Sequence, residues 1–320
     1  MLHKIVILDG YAENPGDLSW DGIKVQGETT IYDRTAPEDV ISRIGDADCI
    51  FTNKVQITKE IMDACPTVKY IGELATGFNN IDVAAAKERG ITVTNIPSYA
   101  TETVVQFTFG LIFELCFQIG AHNQSVHDGD WQNCKDFTYT KYPMTELTGK
   151  TIGIVGMGRI GMGVAKVANA LGMKVLAHSG HVKPELEGSL CHFVSFEELL
   201  EQSDVVSIHC PQTPTNGGMM NREAFSHMKD GAIFINTGRG GLVVERDLKE
   251  ALDSGKLSGA AVDVVSKEPI EAENPLLTAK NLIITPHIAW ETKEARQRLM
   301  DVAVQNLASY LKGQPVNVVS

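Results

Sequence analysis

Residues 151–180, TIGIVGMGRIGMGVAKVANALGMKVLAHSG, decide the fold. Residues 151–155 form a short apolar run rich in β-branched side chains, the pattern of a buried strand. Gly156, Gly158 and Gly161 then spell GxGxxG, followed by Ile160, Val164, Val167 and Leu171 at helical spacing and by a second strand over 174–177. In a strand, turn, helix, strand unit these glycines have separate physical tasks. One permits the tight turn, one lets the backbone approach a pyrophosphate, and one lets helix and strand pack closely. The phosphates rest on the helix N-terminus, at Arg159 and Ile160, where unbonded N–H groups and the helix dipole favour an anion. A bare GxGxxG is weak evidence, because glycine-rich turns are common; its place between a strand and a helix makes it a dinucleotide site. One part is missing. The acidic residue that would end the second strand and hold the adenosine ribose is replaced by Ser179, in the run His178, Ser179, Gly180, His181, Val182, Lys183.

A chain of 320 residues, 43% of them hydrophobic, predicts two soluble globular domains with ordinary cores. Its formal charge of −12 argues against nucleic acid and acidic membrane surfaces as partners, since both are bound through basic patches. Local basic residues therefore handle any anionic ligand. Six scattered cysteines (Cys49, Cys65, Cys116, Cys134, Cys191, Cys210) without CxxC spacing predict neither a disulfide framework nor a zinc site, and the expected compartment is a reducing cytoplasm. The N-terminal apolar run is too short for a signal peptide and reads as a strand. Residues 104–119 are apolar enough to suggest a membrane span, but Gln106, Thr108, Gly110, Glu114 and Gln118 interrupt them, so a buried or subunit-interface helix is expected.

Up to residue 95, strands at 5–8, 49–52, 70–74 and 92–94 alternate with helices at 37–44, 59–64 and 83–89, which implies a parallel sheet covered on both faces. The stretch 73–82, ELATGFNNID, leaves a strand through a glycine-centred loop. Its N–H groups suit a small anion such as a carboxylate, although a plain strand–helix connection fits as well. Pro97 and Ser98 break the pattern before a long helix over 101–120 and mark a hinge. Past the glycine unit, strands at 205–209, 232–236, 260–264 and 282–285 are separated by helices at 197–202, 222–228 and 245–254, the last closed by Gly255. A helical stripe over 292–312 then returns to cover the first domain. Two crossings between domains suit an enzyme that closes over its ligand.

Strand ends line the ligand crevice of such sheets. Arg239, Glu268 and His287 each fall at or after a predicted strand end. Hydride transfer between a nicotinamide and a 2-oxo acid needs a cation for the carboxylate and a proton donor for the carbonyl oxygen. It also gains from a carboxylate that holds the donor imidazole charged. Arginine, histidine and glutamate are those groups. Singly each has an ordinary structural reading, and the joint placement after a dinucleotide unit carries the assignment.

The chain resembles the D-isomer-specific 2-hydroxyacid dehydrogenases over nearly its full length, and is most similar to their glycerate dehydrogenase, hydroxypyruvate and glyoxylate reductase branch. The matching segments are ATGFNNID at 75–82, the glycines 156–161, HCPQT at 209–213, NTGRG at 236–240, residues 262–269, and PHIAW at 286–290. The resemblance implies an α/β fold of two doubly wound parallel-sheet domains: a Rossmann dinucleotide-binding domain (101–290) inserted in a flavodoxin-like substrate domain (1–100 and 291–320). It implies that Arg239 binds and polarises the substrate, His287 is the acid/base and Glu268 pairs with it. Backbone groups around Ala75, Thr76 and Gly77 would hold the substrate carboxylate. Thr237, Gly238 and Asp263 would lie near the nicotinamide, and Cys210 and Pro211 would border the adenine. Trp290 looks like a pocket residue of the hydroxypyruvate-reducing branch, and equally like a packing tryptophan at a helix start. Family members are usually homodimers that use the long helix after the first hinge.

Two departures stand out. Ser179 replaces the family's commonest aspartate, which opens the cofactor to NAD(H) or NADP(H), with His181 and Lys183 placed to offer positive charge to a 2′-phosphate. Gln106 stands where many members have glutamate. The expected reaction is reduction of hydroxypyruvate or glyoxylate to the D-2-hydroxy acid. The alternatives are a D-lactate or phosphoglycerate type of dehydrogenase, or a cofactor-sensing protein like the family's transcriptional corepressors.

Overall fold

The computed structural model describes residues 2–320. The chain forms two compact units, Met1–Ala100 with Trp290–Ser320, and Thr101–Ala289. In the first, β1 (Lys4–Ile7), β2 (Glu28–Ile31), β3 (Cys49–Thr52), β4 (Tyr70–Glu73) and β5 (Thr92–Thr94) build a parallel sheet in the order β2-β1-β3-β4-β5. One face carries Val6, Leu8, Ile50, Ile71 and Val93 against Val40, Ile44, Met62 and Ala86 from the flanking helices. On the other, Tyr70 stacks on Tyr310 of the helix Lys293–Leu311, with ring centroids 4.7 Å apart. β3 and β4 are buried along their whole length, which is why they read as continuous apolar runs. β2 has no counterpart in the predicted strands. Its sequence, ETTI, is an edge strand that alternates exposed and half-buried positions and carries one apolar residue.

The second unit holds β6 (Thr151–Val155), β7 (Lys174–His178), β8 (His192–Phe193), β9 (Val205–Ile208), β10 (Ala232–Asn236), β11 (Leu257–Val262) and β12 (Leu282–Ile284), all parallel, in the order β12-β11-β10-β9-β6-β7-β8. The order reverses between β6 and β9, so the crevice at their carboxyl ends is a topological switch point. Both units are doubly wound α/β layers, the fold class expected. The helix Arg159–Ala170 buries Gly161, Val164, Ala165 and Ala168 and packs with the helix Thr101–Phe117, whose Val105 would meet a Cβ on Gly163 at 2.6 Å.

Several boundaries differ from the predicted ones. The helix over 101–120 ends at Phe117: Gln118 takes a left-handed φ of 51°, and a second helix, Ile119–His127, leaves at 56°. Among the described residues no single helix is long and apolar enough to cross a membrane. β9 stops at Ile208 and β11 at Val262, so His209 and Asp263 both fall just past strand ends. Trp290 goes with the first unit rather than the second, its ring edge-on to Tyr99 at 6.1 Å between centroids.

Candidate active site

The glycine turn after β6 fits a dinucleotide. Gly156 has φ +102°, and a Cβ there would lie 2.5 Å from the Cys210 nitrogen, so a side chain is excluded by conformation and by space. A Cβ on Gly161 would lie 2.1 Å from the Gly156 carbonyl oxygen, which only a glycine allows between turn and helix. Gly158 is different. It sits in extended backbone at the helix N-cap, without a side-chain cap, and a Cβ there would meet nothing within 4 Å. The space in front of Gly158 is open at the end of a helix whose first N–H groups seek an acceptor, the requirement for a pyrophosphate. Arg159, exposed at the first helical position, adds a cation, and Ile160 is half-buried behind it.

The carboxyl ends of β10, β11 and β12 carry the polar groups. Asn236, wholly buried at the end of β10, accepts from Gly238 N through Oδ1 (3.0 Å) and donates through Nδ2 to the Arg239 carbonyl (3.0 Å), which fixes the turn 236–239. Gly240 lies against the backbone of Val265, 2.0 Å from where its Cβ would be, so this turn is pressed onto the loop that carries Glu268. Arg239 itself is exposed; its Nη1 donates to the Gly238 carbonyl at 2.8 Å, and among the described residues it makes no ion pair. A guanidinium with its fork unclaimed by a carboxylate is the group that binds one from solution.

Glu268 and His287 meet: Oε2 of Glu268 lies 2.7 Å from Nδ1 of His287, and the two side chains are 35% and 29% exposed. The other carboxylate oxygen, Oε1, accepts from Val265 N at 3.2 Å, which aims the pair. His287 has φ +58°, a conformation that costs a non-glycine residue free energy and persists only where the surroundings impose it. Asp263 imposes it. Its buried carboxylate accepts from Thr285 Oγ1 (2.6 Å), Ile288 N (2.9 Å) and Ala289 N (2.9 Å), while its carbonyl accepts from His287 N (2.8 Å). In this structure Asp263, expected beside the nicotinamide, has both carboxylate oxygens engaged by the histidine segment.

The remaining predicted cofactor contacts lie around the switch point. Thr237 Oγ1 is 3.3 Å from Thr108 Oγ1 and 3.5 Å from His209 Nδ1, and His209 Nε2 is 2.9 Å from Ser207 Oγ. Desolvation pushes the His209 imidazole down to about 4, so it is neutral at physiological pH and serves as a fixed hydrogen-bonding strut behind Thr237. Reading His209 as the last residue of a strand concealed this role. Cys210 is half-buried, its thiol pushed up by burial, and Pro211 is exposed beside it. Ser179 follows β7 half-buried, its Oγ accepting from His181 N at 3.4 Å. The Lys183 ammonium reaches only Met162 Sδ at 3.5 Å and, among the described residues, has no carboxylate partner.

In the first unit, the segment 74–77 has every carbonyl but the last tied down. Asn53 Nδ2 donates to Leu74 O (2.9 Å), Ile96 N to Ala75 O (2.9 Å) and Asn95 Nδ2 to Thr76 O (2.8 Å). The N–H groups of Ala75, Thr76 and Gly77 have no acceptor among the described residues. Three adjacent unbonded donors, with the Ala75 and Thr76 carbonyls held back, form a cradle for an anion.

A family model, "D-isomer specific 2-hydroxyacid dehydrogenase, NAD binding domain", matches residues 109–289, more than half of the chain. The chain belongs to the D-isomer-specific 2-hydroxyacid dehydrogenases. This dehydrogenase is 53% identical over 320 residues to a hydroxypyruvate reductase of Blautia hydrogenotrophica, covering 99% of each chain. It is 43% identical over 291 residues to a glycerate dehydrogenase of Methylorubrum extorquens, covering 90% of each. Among solved structures, a D-lactate dehydrogenase from Aquifex aeolicus complexed with NAD and lactic acid superposes with a TM-score of 0.85 at 29% identity, over 99% of this chain and all of that one. The dehydrogenase is thus an oxidoreductase of CH–OH groups that binds a nicotinamide dinucleotide, and its glycine turn has the open cradle that this cofactor needs.

Proposed function

We propose that the protein reduces hydroxypyruvate or glyoxylate to the D-2-hydroxy acid, with Arg239, Glu268 and His287 as its catalytic residues. The observation that carries this reading is the His287–Glu268 pair at 2.7 Å, on the same unit as an unpaired Arg239 and a dinucleotide turn. The 53% identity to a hydroxypyruvate reductase over the full length supports the substrate class. When bound, the nicotinamide supplies the hydride. His287, with Nδ1 engaged by Glu268, gives its proton from Nε2 to the substrate carbonyl oxygen. Glu268 holds the imidazole in that orientation. Arg239 takes the substrate carboxylate through its fork and polarises the carbonyl. In the first unit, Ala75, Thr76 and Gly77, through their N–H groups, and Trp290, braced on Tyr99, are the substrate-binding residues.

On this reading 1–100 with 291–320 act as the substrate domain and 101–290 as the dinucleotide-binding domain. Gly156, Gly158, Arg159, Ile160 and Gly161 take the pyrophosphate. Thr237, Gly238 and Asp263 serve the nicotinamide side, and Cys210 and Pro211 the adenine. Ser179, His181 and Lys183 leave room and positive charge for a 2′-phosphate, so NADPH is accepted beside NADH. We infer a homodimer. Ile119, Trp131, Phe137 and Met144 expose large apolar side chains along one stretch after the helix Thr101–Phe117, with Phe137 89% exposed. Six unpaired thiols fit a reducing cytoplasm.

The test is a panel of 2-oxo acids assayed with NADH and with NADPH. The reading expects the highest kcat/KM for hydroxypyruvate or glyoxylate. A preference for pyruvate or a larger 2-oxo acid moves the protein to a D-lactate type of dehydrogenase, and no turnover at all supports a cofactor-sensing binding protein.

A further inference from the structure

The first unit contains buried acids that the chemistry above does not use. Asp9, Glu13 and Glu73 are 8%, 0% and 1% exposed. Asp9 is satisfied: its carboxylate accepts from the N–H groups of Asn53 (2.9 Å), Lys54 (2.6 Å) and Val55 (3.1 Å). The others are not. Both carboxyl oxygens of Glu13, Oε1 of Glu73 and Oδ1 of Asn53 have no hydrogen-bond partner among the described residues. A buried carboxyl without a cation against it is held in its neutral form, because the charged form loses its hydration and gains nothing in return.

Glu73 ends β4, and the unbonded N–H groups begin two residues on, at Ala75. Its Oε2 accepts from Asn80 Nδ2 at 3.0 Å. The same Asn80 amide reaches the carbonyls of Asn53 (3.4 Å) and Val55 (3.3 Å), and Asn53 in turn donates to the Leu74 carbonyl. Glu73 therefore fixes the Asn80 amide on the loop after β3, the loop whose Asn53 amide holds the Leu74 carbonyl.

We propose that Glu73 is a positioning residue for substrate binding: acting through Asn80 and Asn53 as a neutral acid, it holds the Leu74 carbonyl, and with it the start of the segment whose N–H groups receive the substrate carboxylate. The inference rests on the reading of Ala75, Thr76 and Gly77 given above. Neutrality is required by place. An ionised Glu73 would set a negative charge two residues from an anion cradle and repel the ligand that the cradle receives.

The titratable and charged groups facing Glu73 are Asp9 and Glu13, from the loop after β1, and Lys54, from the loop after β3. Burial pushes Glu73 up to about 9; the Asn80 hydrogen bond opposes this, Asp9 and Glu13 add to it, and Lys54 opposes it. Glu73 is thus neutral through the physiological range and ionises in the alkaline one. Repulsion between two carboxylates across a partly buried site is worth on the order of a tenfold change in KM.

The experiment measures KM and kcat of the full-length enzyme for its best 2-oxo acid from about pH 7 to about pH 10, in wild type, Glu73→Gln and Glu73→Ala. Glutamine has an oxygen for Asn80 and never ionises. Its KM is expected within about twofold of wild type at neutral pH and flat above it, while the wild-type KM climbs on the order of tenfold. Because His287 is the same in both, the difference between the two profiles isolates Glu73. Glu73→Ala removes the acceptor and is expected to raise KM on the order of tenfold already at neutral pH, with kcat changed less than twofold. Superimposable KM profiles for wild type and Glu73→Gln overturn the inference, and they do so even if Glu73→Ala fails to fold. Absence of turnover with every 2-oxo acid overturns the dehydrogenase reading and this inference with it; turnover with identical profiles overturns this inference alone.

Discussion

A single methyl group added at Gly158 or at Gly161 separates the two tasks of the glycine turn. At Gly161 the new Cβ would lie 2.1 Å from the Gly156 carbonyl oxygen and 3.1 Å from its carbon, and both are backbone atoms of a turn that cannot retreat. Overpacking of this kind costs about 1–3 kcal/mol. Alanine is the better helix former by about 1 kcal/mol. The steric term wins because the neighbour is backbone rather than a flexible side chain, and the net loss lowers Tm by several degrees, at about 2–4 °C per kcal/mol for a unit of this size. At Gly158 the new Cβ would meet nothing, and φ −76°, ψ −163° is open to alanine. Stability then falls only by the lost capping preference, about 0.5–1 kcal/mol, while the methyl stands where the pyrophosphate approaches the helix. NADH affinity should fall about tenfold to a hundredfold, since each factor of ten is about 1.4 kcal/mol. Thermal melts and NADH fluorescence titrations of both variants read the two effects separately. Wild-type NADH affinity in Gly158→Ala would refute the reasoning, because the open space would then have no ligand.

Arg239→Lys replaces a forked donor with a point charge and should raise KM and lower kcat/KM for the 2-oxo acid by about tenfold or more; unchanged kinetics would leave the carboxylate to Ala75, Thr76 and Gly77 alone. Ser179→Asp should shift preference towards NADH. A carboxylate about 5 Å from a phosphate charge interacts by roughly 3 kcal/mol at an effective dielectric of 20, and half-exposure of the site reduces this to about a tenfold loss of kcat/KM with NADPH. Wild type should use NADPH within an order of magnitude of NADH, and strict NADH use would remove the argument. Stability should also depend on pH through Glu73, which the folded protein holds protonated up to about 9 while the unfolded chain releases the proton in the ordinary glutamate range. The folded state then binds the extra proton, so stability falls as pH rises between those limits. Thermal scans should show a shallower decline in Glu73→Gln; equal slopes would contradict the assignment.

What the sequence made legible, and what it hid, divides along a physical line. The glycine turn was readable because the GxGxxG spacing falls between a strand and a helix within one short stretch, and the placement of Arg239, Glu268 and His287 after strand ends was readable because short apolar runs precede them. β2 was hidden because an edge strand needs only one apolar face, and Glu28–Ile31 carries little of one. The break at Gln118 was hidden because the left-handed residue is a glutamine, with glycine only two positions later. The network of Glu73, Asn80 and Asn53 was beyond reach for another reason: its bonds span up to 27 residues and tie amides to backbone carbonyls, and neither partner's type announces the contact. Asp263 is intermediate. The family resemblance implied a cofactor contact for it, within a strand expected to run to 264, and the structure shows it past the strand end and bonded to the loop that holds His287.

The central claim is that His287, aimed by Glu268, delivers the proton in 2-oxo acid reduction. Steady-state reduction of hydroxypyruvate by wild type and His287→Ala, with NADH affinity measured in parallel, tests it most directly. The account predicts a fall in kcat of about 10²–10⁴ with dinucleotide affinity unchanged. A variant that turns over hydroxypyruvate at close to the wild-type kcat would contradict it.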